Sequence, residues 1–237
     1  MRLITALSLV TLSGVASAHV GIPSGVATAN KTSQKISFGI SHGCTTAGGA
    51  HLDTLSIQVD IPTTGAIDQT TVRAMANDFD STPDVTKSGA NVTSVKWERN
   101  PAALQAEDVA YYEFTLRLKV NDVPFTRVPF TVTQVCRPQN GNGTDDLTTV
   151  WTGAAEPTPS PRLTVVPARS PGWNKYTLTT AVAAADFGTY FGDAQIMWKG
   201  MSAFSNNMTI KTLIEATMGV TPLTTDLAAG DEIWVKY

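Results

Sequence analysis

From Val20 to about Ser160 the chain runs in short stretches of alternating apolar and polar residues, broken by Gly, Pro, Asn and Asp. Lys35 to Ile40 and Leu55 to Ile61 each put every second side chain on an apolar face, the signature of a strand half in a core and half in water. Tyr112 to Val120 does the same, with Phe114, Leu116, Leu118 and Val120 facing inward. Val128 to Val135 is a further apolar-rich strand that leads directly into Cys136. Strands at this spacing, with no convincing amphipathic helix among them, predict a mainly β chain: an antiparallel β-sandwich of cupredoxin or immunoglobulin-like kind.

Past Trp151 the pattern changes. Glu156-Pro157-Thr158-Pro159-Ser160-Pro161 cannot continue a central strand and reads as a linker or extended edge. The last segment mixes periods: strands are expected at 174–179, 194–198 and 231–237, a short Ala-rich helix at 180–191, and a second helix at 209–218. That second helix places Ile210, Leu213, Ile214 and Thr217 at helical spacing, with Gly219 as its C-cap. The division expected is a leader over 1–18, a β-sandwich over 19–167 and a small C-terminal α+β module over 168–237.

The leader is read from Arg2, the apolar run Leu3 to Val15 and the small residues Ala16-Ser17-Ala18, the three parts of a secretory signal peptide. The run is short of the about 20 residues needed to span a bilayer, and no later segment is long and apolar enough either, so no membrane span is expected in the mature chain. Cleavage after Ala18 makes the protein periplasmic or secreted and leaves His19 as the first residue. A terminal histidine carries a free α-amine beside its own ring, so the amine nitrogen and Nδ1 can close a chelate on one metal ion. An internal histidine cannot.

Composition narrows the partners. Apolar residues make up 42% of the chain and charged ones 16%, which fits a folded core. A formal net charge of −3 leaves no basic surplus for phosphates, which argues against nucleic acid and anionic membrane surfaces. Cys44 and Cys136 are the two cysteines, and in an exported chain a single disulfide is the default expectation. Closing so large a loop is worth about 4 to 5 kcal/mol in the chain-entropy picture. No Ser-His-Asp spacing, phosphate-cradling loop or nucleotide fingerprint stands out.

All three histidines, His19, His42 and His51, fall early in the exported chain. Antiparallel pairing of the first two strands would set His42 beside His19, with the disulfide at the same end. His51, after a Gly-rich turn, reads as a loop residue.

Several separated motifs then coincide with one family. Ala18-His19-Val20 after a leader, Ser41-His42-Gly43-Cys44, Val59-Asp60-Ile61-Pro62, Ala110-Tyr111-Tyr112-Glu113-Phe114-Thr115, Pro129 to Cys136, and Val150-Trp151-Thr152-Gly153 resemble, in order and spacing, the YcnI-like domain over about residues 19–167. The resemblance implies an extracytoplasmic β-sandwich with one copper(II) site built on a single-histidine brace, a carboxylate partner and a nearby tryptophan. His19 takes the place of the brace and Trp151 that of the tryptophan. The family's carboxylate is not matched: Val72-Arg73-Ala74-Met75 leaves Met75 as its nearest counterpart, with His42 or Glu113 as other donors. Asn77-Asp78-Phe79 also replaces the family's Pro-Gly-Trp. Amine and imidazole suit the equatorial positions of copper(II), whereas a thioether favours copper(I).

The expectation is therefore a non-enzymatic protein that captures, stores or hands over copper to copper-handling proteins of its own compartment. Two other readings stand beside it. One is a cell-surface or cell-wall interaction protein whose C-terminal module does the binding. The other is a copper-dependent oxidative enzyme, which would need His42 or His51 as a second ring ligand.

Overall fold

The computed structural model describes residues 19–106, 110–153 and 159–237. The leader, its cleavage point after Ala18 and part of the proline-rich linker lie outside the described residues.

In chain order the first strands are β1 (Val20–Gly21), β2 (Ala27–Thr28), β3 (Gln34–Ile40), β4 (Cys44–Thr45), β5 (His51–Asp60), β6 (Ile67–Ala74), β7 (Asp84–Ser88) and β8 (Asn91–Glu98). They are followed by β9 (Tyr112–Val120), β10 (Thr126–Pro129), β11 (Thr131–Arg137), β12 (Leu147–Trp151) and β13 (Arg162–Val166). Among the described residues these build one sheet of order β1-β3-β9-β6, a second of order β12-β11-β5-β8-β7 with β4 pairing β5, and a small third, β10-β13-β2. All pairs but β13 with β2 are antiparallel.

The three sheets turn their apolar faces into one core. Phe38, Phe114 and Leu116 come from the first sheet, Ile57, Val95, Trp97 and Val132 from the second, and Leu163 and Val165 from the third. Aromatic contacts lock the layers: Phe38 meets Phe130 edge-on at 5.1 Å, and Trp97 meets Phe114 at 5.5 Å with the planes tilted. This is the expected antiparallel β-sandwich, with β9 inward at the four residues that its alternation picks out. The apolar run 128–135 is two strands rather than one. Phe130 N–H leaves the ladder to donate to Pro161 O, and the chain passes from the third sheet to the second at that point.

The C-terminal module has its own core. It comprises β14 (Trp173–Thr177), α1 (Phe187–Phe191), β15 (Ile196–Lys199), β16 (Ser202–Phe204), α2 (Met208–Ala216), β17 (Thr221–Pro222) and β18 (Glu232–Lys236), with sheet order β14-β18-β15-β16-β17. The helix expected over 180–191 is confined to 187–191. Val182 is instead drawn into a bridge with Leu227, and Asp226 accepts from Ala184 N–H, so tertiary partners override the alanine propensity. α2 stops at Ala216, with the Asn207 side chain capping its start by accepting from Thr209 and Ile210 N–H.

Phe125 and Val166, which belong to the sandwich segment, are buried in the module's core. Phe125 has φ +62°, a conformation that bulky residues seldom adopt, and its ring lies within 6 Å of those of Tyr176, Tyr190 and Phe191. Its backbone is held on both sides, N–H to Val165 O and C=O from Thr180 Oγ1. The Arg127–Asp186 ion pair closes the same junction.

Candidate functional site

β1 is an edge strand of the first sheet and β12 an edge strand of the second, so the start of one and the end of the other meet at the side of the sandwich. His19 stands just before β1, and its ring centroid lies 5.8 Å from that of Trp151, with the planes tilted by 45°. Val20 anchors the backbone by entering the core, and Trp151 is itself only 2% exposed, so the aromatic partner is rigid while the histidine stays part-exposed. Trp151 Nε1–H is buried and finds no acceptor among the described residues. A donor left in that state lowers its free energy when an acceptor is brought beside it.

The β1–β3 register pairs Val20 with Ile40, which brings the backbone at the end of β3 alongside His19. His42 follows that end. Its Nδ1 is 2.9 Å from Gly43 O, and a proton held there leaves the lone pair on Nε2, the arrangement common in metal-binding histidines. The loop is pinned twice. Gln134, buried on β11, donates from Nε2 to His42 O at 3.2 Å and to Thr54 Oγ1 at 2.9 Å. Two residues further, Cys44 is joined to Cys136 with a Cα–Cα distance of 5.8 Å.

The sheet order keeps the other two candidates apart from His19. Glu113 lies on β9, two strands from β1 and so about 10 Å away across the sheet. It faces outward, opposite Gly39, and accepts from Tyr111 OH at 3.2 Å. Burial and the Glu113 carboxylate together push the Tyr111 phenol above its ordinary range. Met75 follows β6 at the far edge, about 14 Å from β1 by the same strand spacing, and its backbone pairs with Thr115. His51 is not a loop residue: it opens β5 at an exposed position, paired with Thr45 of β4, and its Nδ1 is 3.4 Å from Thr45 Oγ1.

A buried ionic cluster gave no sequence signal. Asp53 on β5 is 1% exposed and pairs with Arg99, whose Nη1 donates to Tyr112 OH at 2.9 Å. Tyr112 OH donates in turn to Asp53 Oδ1 at 3.2 Å, and the backbone N–H groups of Thr54 and Gln105 complete the carboxylate. The Arg99 guanidinium lies over the rings of Phe79 and Tyr112 at 5.2 and 5.3 Å. Phe79, from the stretch that replaces the family's Pro-Gly-Trp, thus covers an arginine and packs edge-on against Phe114.

Among the described residues no group of three or more His, Cys, Asp or Glu side chains gathers as a metal ligand set. A terminal-histidine brace takes two donors, amine and ring, from one residue, so its first half needs no such group. The disulfide fits an oxidising compartment outside the cytoplasm, and no helix among the described residues is long and apolar enough to cross a membrane.

No family model matches the chain, and no curated protein matches it in sequence. Two solved structures are similar at low identity. An uncharacterized protein from Nocardia farcinica with an immunoglobulin-like fold is 17% identical, with 62% of this chain and 97% of that one covered at a TM-score of 0.43. CaCohA2 from Clostridium acetobutylicum is 14% identical, with 63% of this chain and 92% of that one covered at a TM-score of 0.33.

Proposed function

We propose that this is an extracytoplasmic copper(II)-binding protein that captures or carries copper for partners of the same compartment, with no catalytic role. The observation that supports this reading is the His19–Trp151 contact. These are the two residues that the YcnI-like resemblance assigns to the brace and its aromatic neighbour, and they are drawn from opposite ends of the sandwich segment. Amine and imidazole nitrogens of His19 supply two equatorial donors suited to tetragonal copper(II), and the His42 imidazole, on the loop beside it, is the nearest candidate for a third. The Trp151 face shields one side of the ion from water.

The test is copper(II) titration of protein that begins at His19, followed by EPR. One equivalent with a nitrogen-rich tetragonal signal is expected, and a form that retains Ala18 loses it. Equal affinity in the two forms would rule out the brace.

A further inference from the structure

Two of the five tryptophans, Trp97 and Trp151, are buried in the sandwich, whereas the other three share one face of the C-terminal sheet. Ile233, Val235 and Met197 turn into the module's core, so the alternate residues of β18 and β15 turn out. Trp234 and Trp198 are directly opposed across β18 and β15, and Trp173 lies on β14, opposite Lys236 and hence diagonal to Trp234. Three consecutive strands therefore carry three indoles in a row, spaced by one direct pair and one diagonal pair. Trp173 and Trp234 are 53% and 49% exposed, although indoles are normally well buried. With Gly200 the three line a shallow depression of about 370 Å³.

The surroundings indicate what covers this face. Lys175, Glu232 and Lys236 alternate with the tryptophans on the outward side, Lys175 paired to Glu232 at 2.7 Å. The core of a protein–protein interface is depleted of Lys and Glu, so a purely apolar partner fits poorly. The net charge of −3 gives a nucleic-acid strand no electrostatic support. A pyranose ring in an equatorially linked chain has the complementary chemistry: a flat face of C–H groups to lie on an indole, and hydroxyls around the rim to meet indole N–H, ammonium and carboxylate groups.

We infer that Trp173, Trp234 and Trp198 form a stacking platform for a neutral β-1,4-linked polysaccharide. The site is separate from the proposed copper centre and does not depend on it.

The test uses the full exported chain in the presence of a chelator, with cellulose, chitin and, as an α-linked control, starch. Retention on cellulose or chitin but not on starch is expected, and the matching β-linked hexaose should quench tryptophan fluorescence. W173A and W234A should each weaken binding about tenfold, the size of one lost stacking contact, whereas W234F, which keeps a flat ring, should recover most of it. The indoles point out of the core, so an unchanged thermal midpoint checks that each variant is folded. Absence of retention on both β-linked polymers, or retention indifferent to W173A and W234A, overturns the proposal. So does a dimer in sedimentation that W234A dissociates, because a second copy would then be what covers the face.

Discussion

The His19 imidazole rests against the Trp151 indole with ring centroids 5.8 Å apart, the histidine part-exposed just before β1 and the tryptophan fixed in the core. In the proposed brace, binding depends on the terminal amine of His19, and an α-amine has an ordinary pKa of about 7.7 to 8.0. Protons compete with copper for that nitrogen. Below pH 7 the apparent copper affinity of protein that begins at His19 should therefore fall by at least about tenfold per pH unit, measured by competition with a chelator of known affinity. His19→Ala should abolish the one-equivalent EPR signal, while Trp151→Phe should keep it with altered parameters.

The Asp53–Arg99 pair is enclosed, so removing one partner strands the other in a low-dielectric setting. Arg99→Met should cost about 3 to 5 kcal/mol in urea unfolding. Replacing both with apolar residues of similar volume should recover much of that loss.

Asp146 accepts two hydrogen bonds from Arg137, at 2.5 and 2.8 Å. This bidentate pairing holds its carboxyl below the ordinary aspartate range. The stability that it contributes is present above the unfolded pKa and is lost as pH falls through the lower folded value. Asp146→Asn should therefore be less stable than the parent at neutral pH, and the gap in thermal midpoint should close in strong acid.

The Cys44–Cys136 bridge closes a sequence separation of 92. Replacing both cysteines with serine should cost about 2 to 5 kcal/mol. The His42 loop, having lost the bridge that pins it to β11, should show faster amide exchange than in the parent.

What could be read from the chain follows from how local each signal is. The β9 strand was legible because Phe114, Leu116, Leu118 and Val120 alternate without interruption. The bridge followed from cysteine count and export. The Asp53–Arg99–Tyr112 cluster was not legible, since its members come from β5, the residue after β8, and β9, and a lone Asp or Arg in such a setting ordinarily faces water. The sheet order was equally hidden: nothing local to Met75 indicates that two strands stand between it and β1. The outward row of tryptophans had a signal in the polar-Trp-polar alternation of Glu232 to Lys236, but only the register aligns it with Trp198 and Trp173.

Phe125 gives the C-terminal module a plug made from someone else's chain segment. A fragment starting after residue 167 would keep Tyr176, Tyr190 and Phe191 but lose the ring they close upon, leaving a greasy socket open to water. The tail and the sandwich thus share one packed junction, and neither keeps its full set of buried contacts when the chain is cut between them.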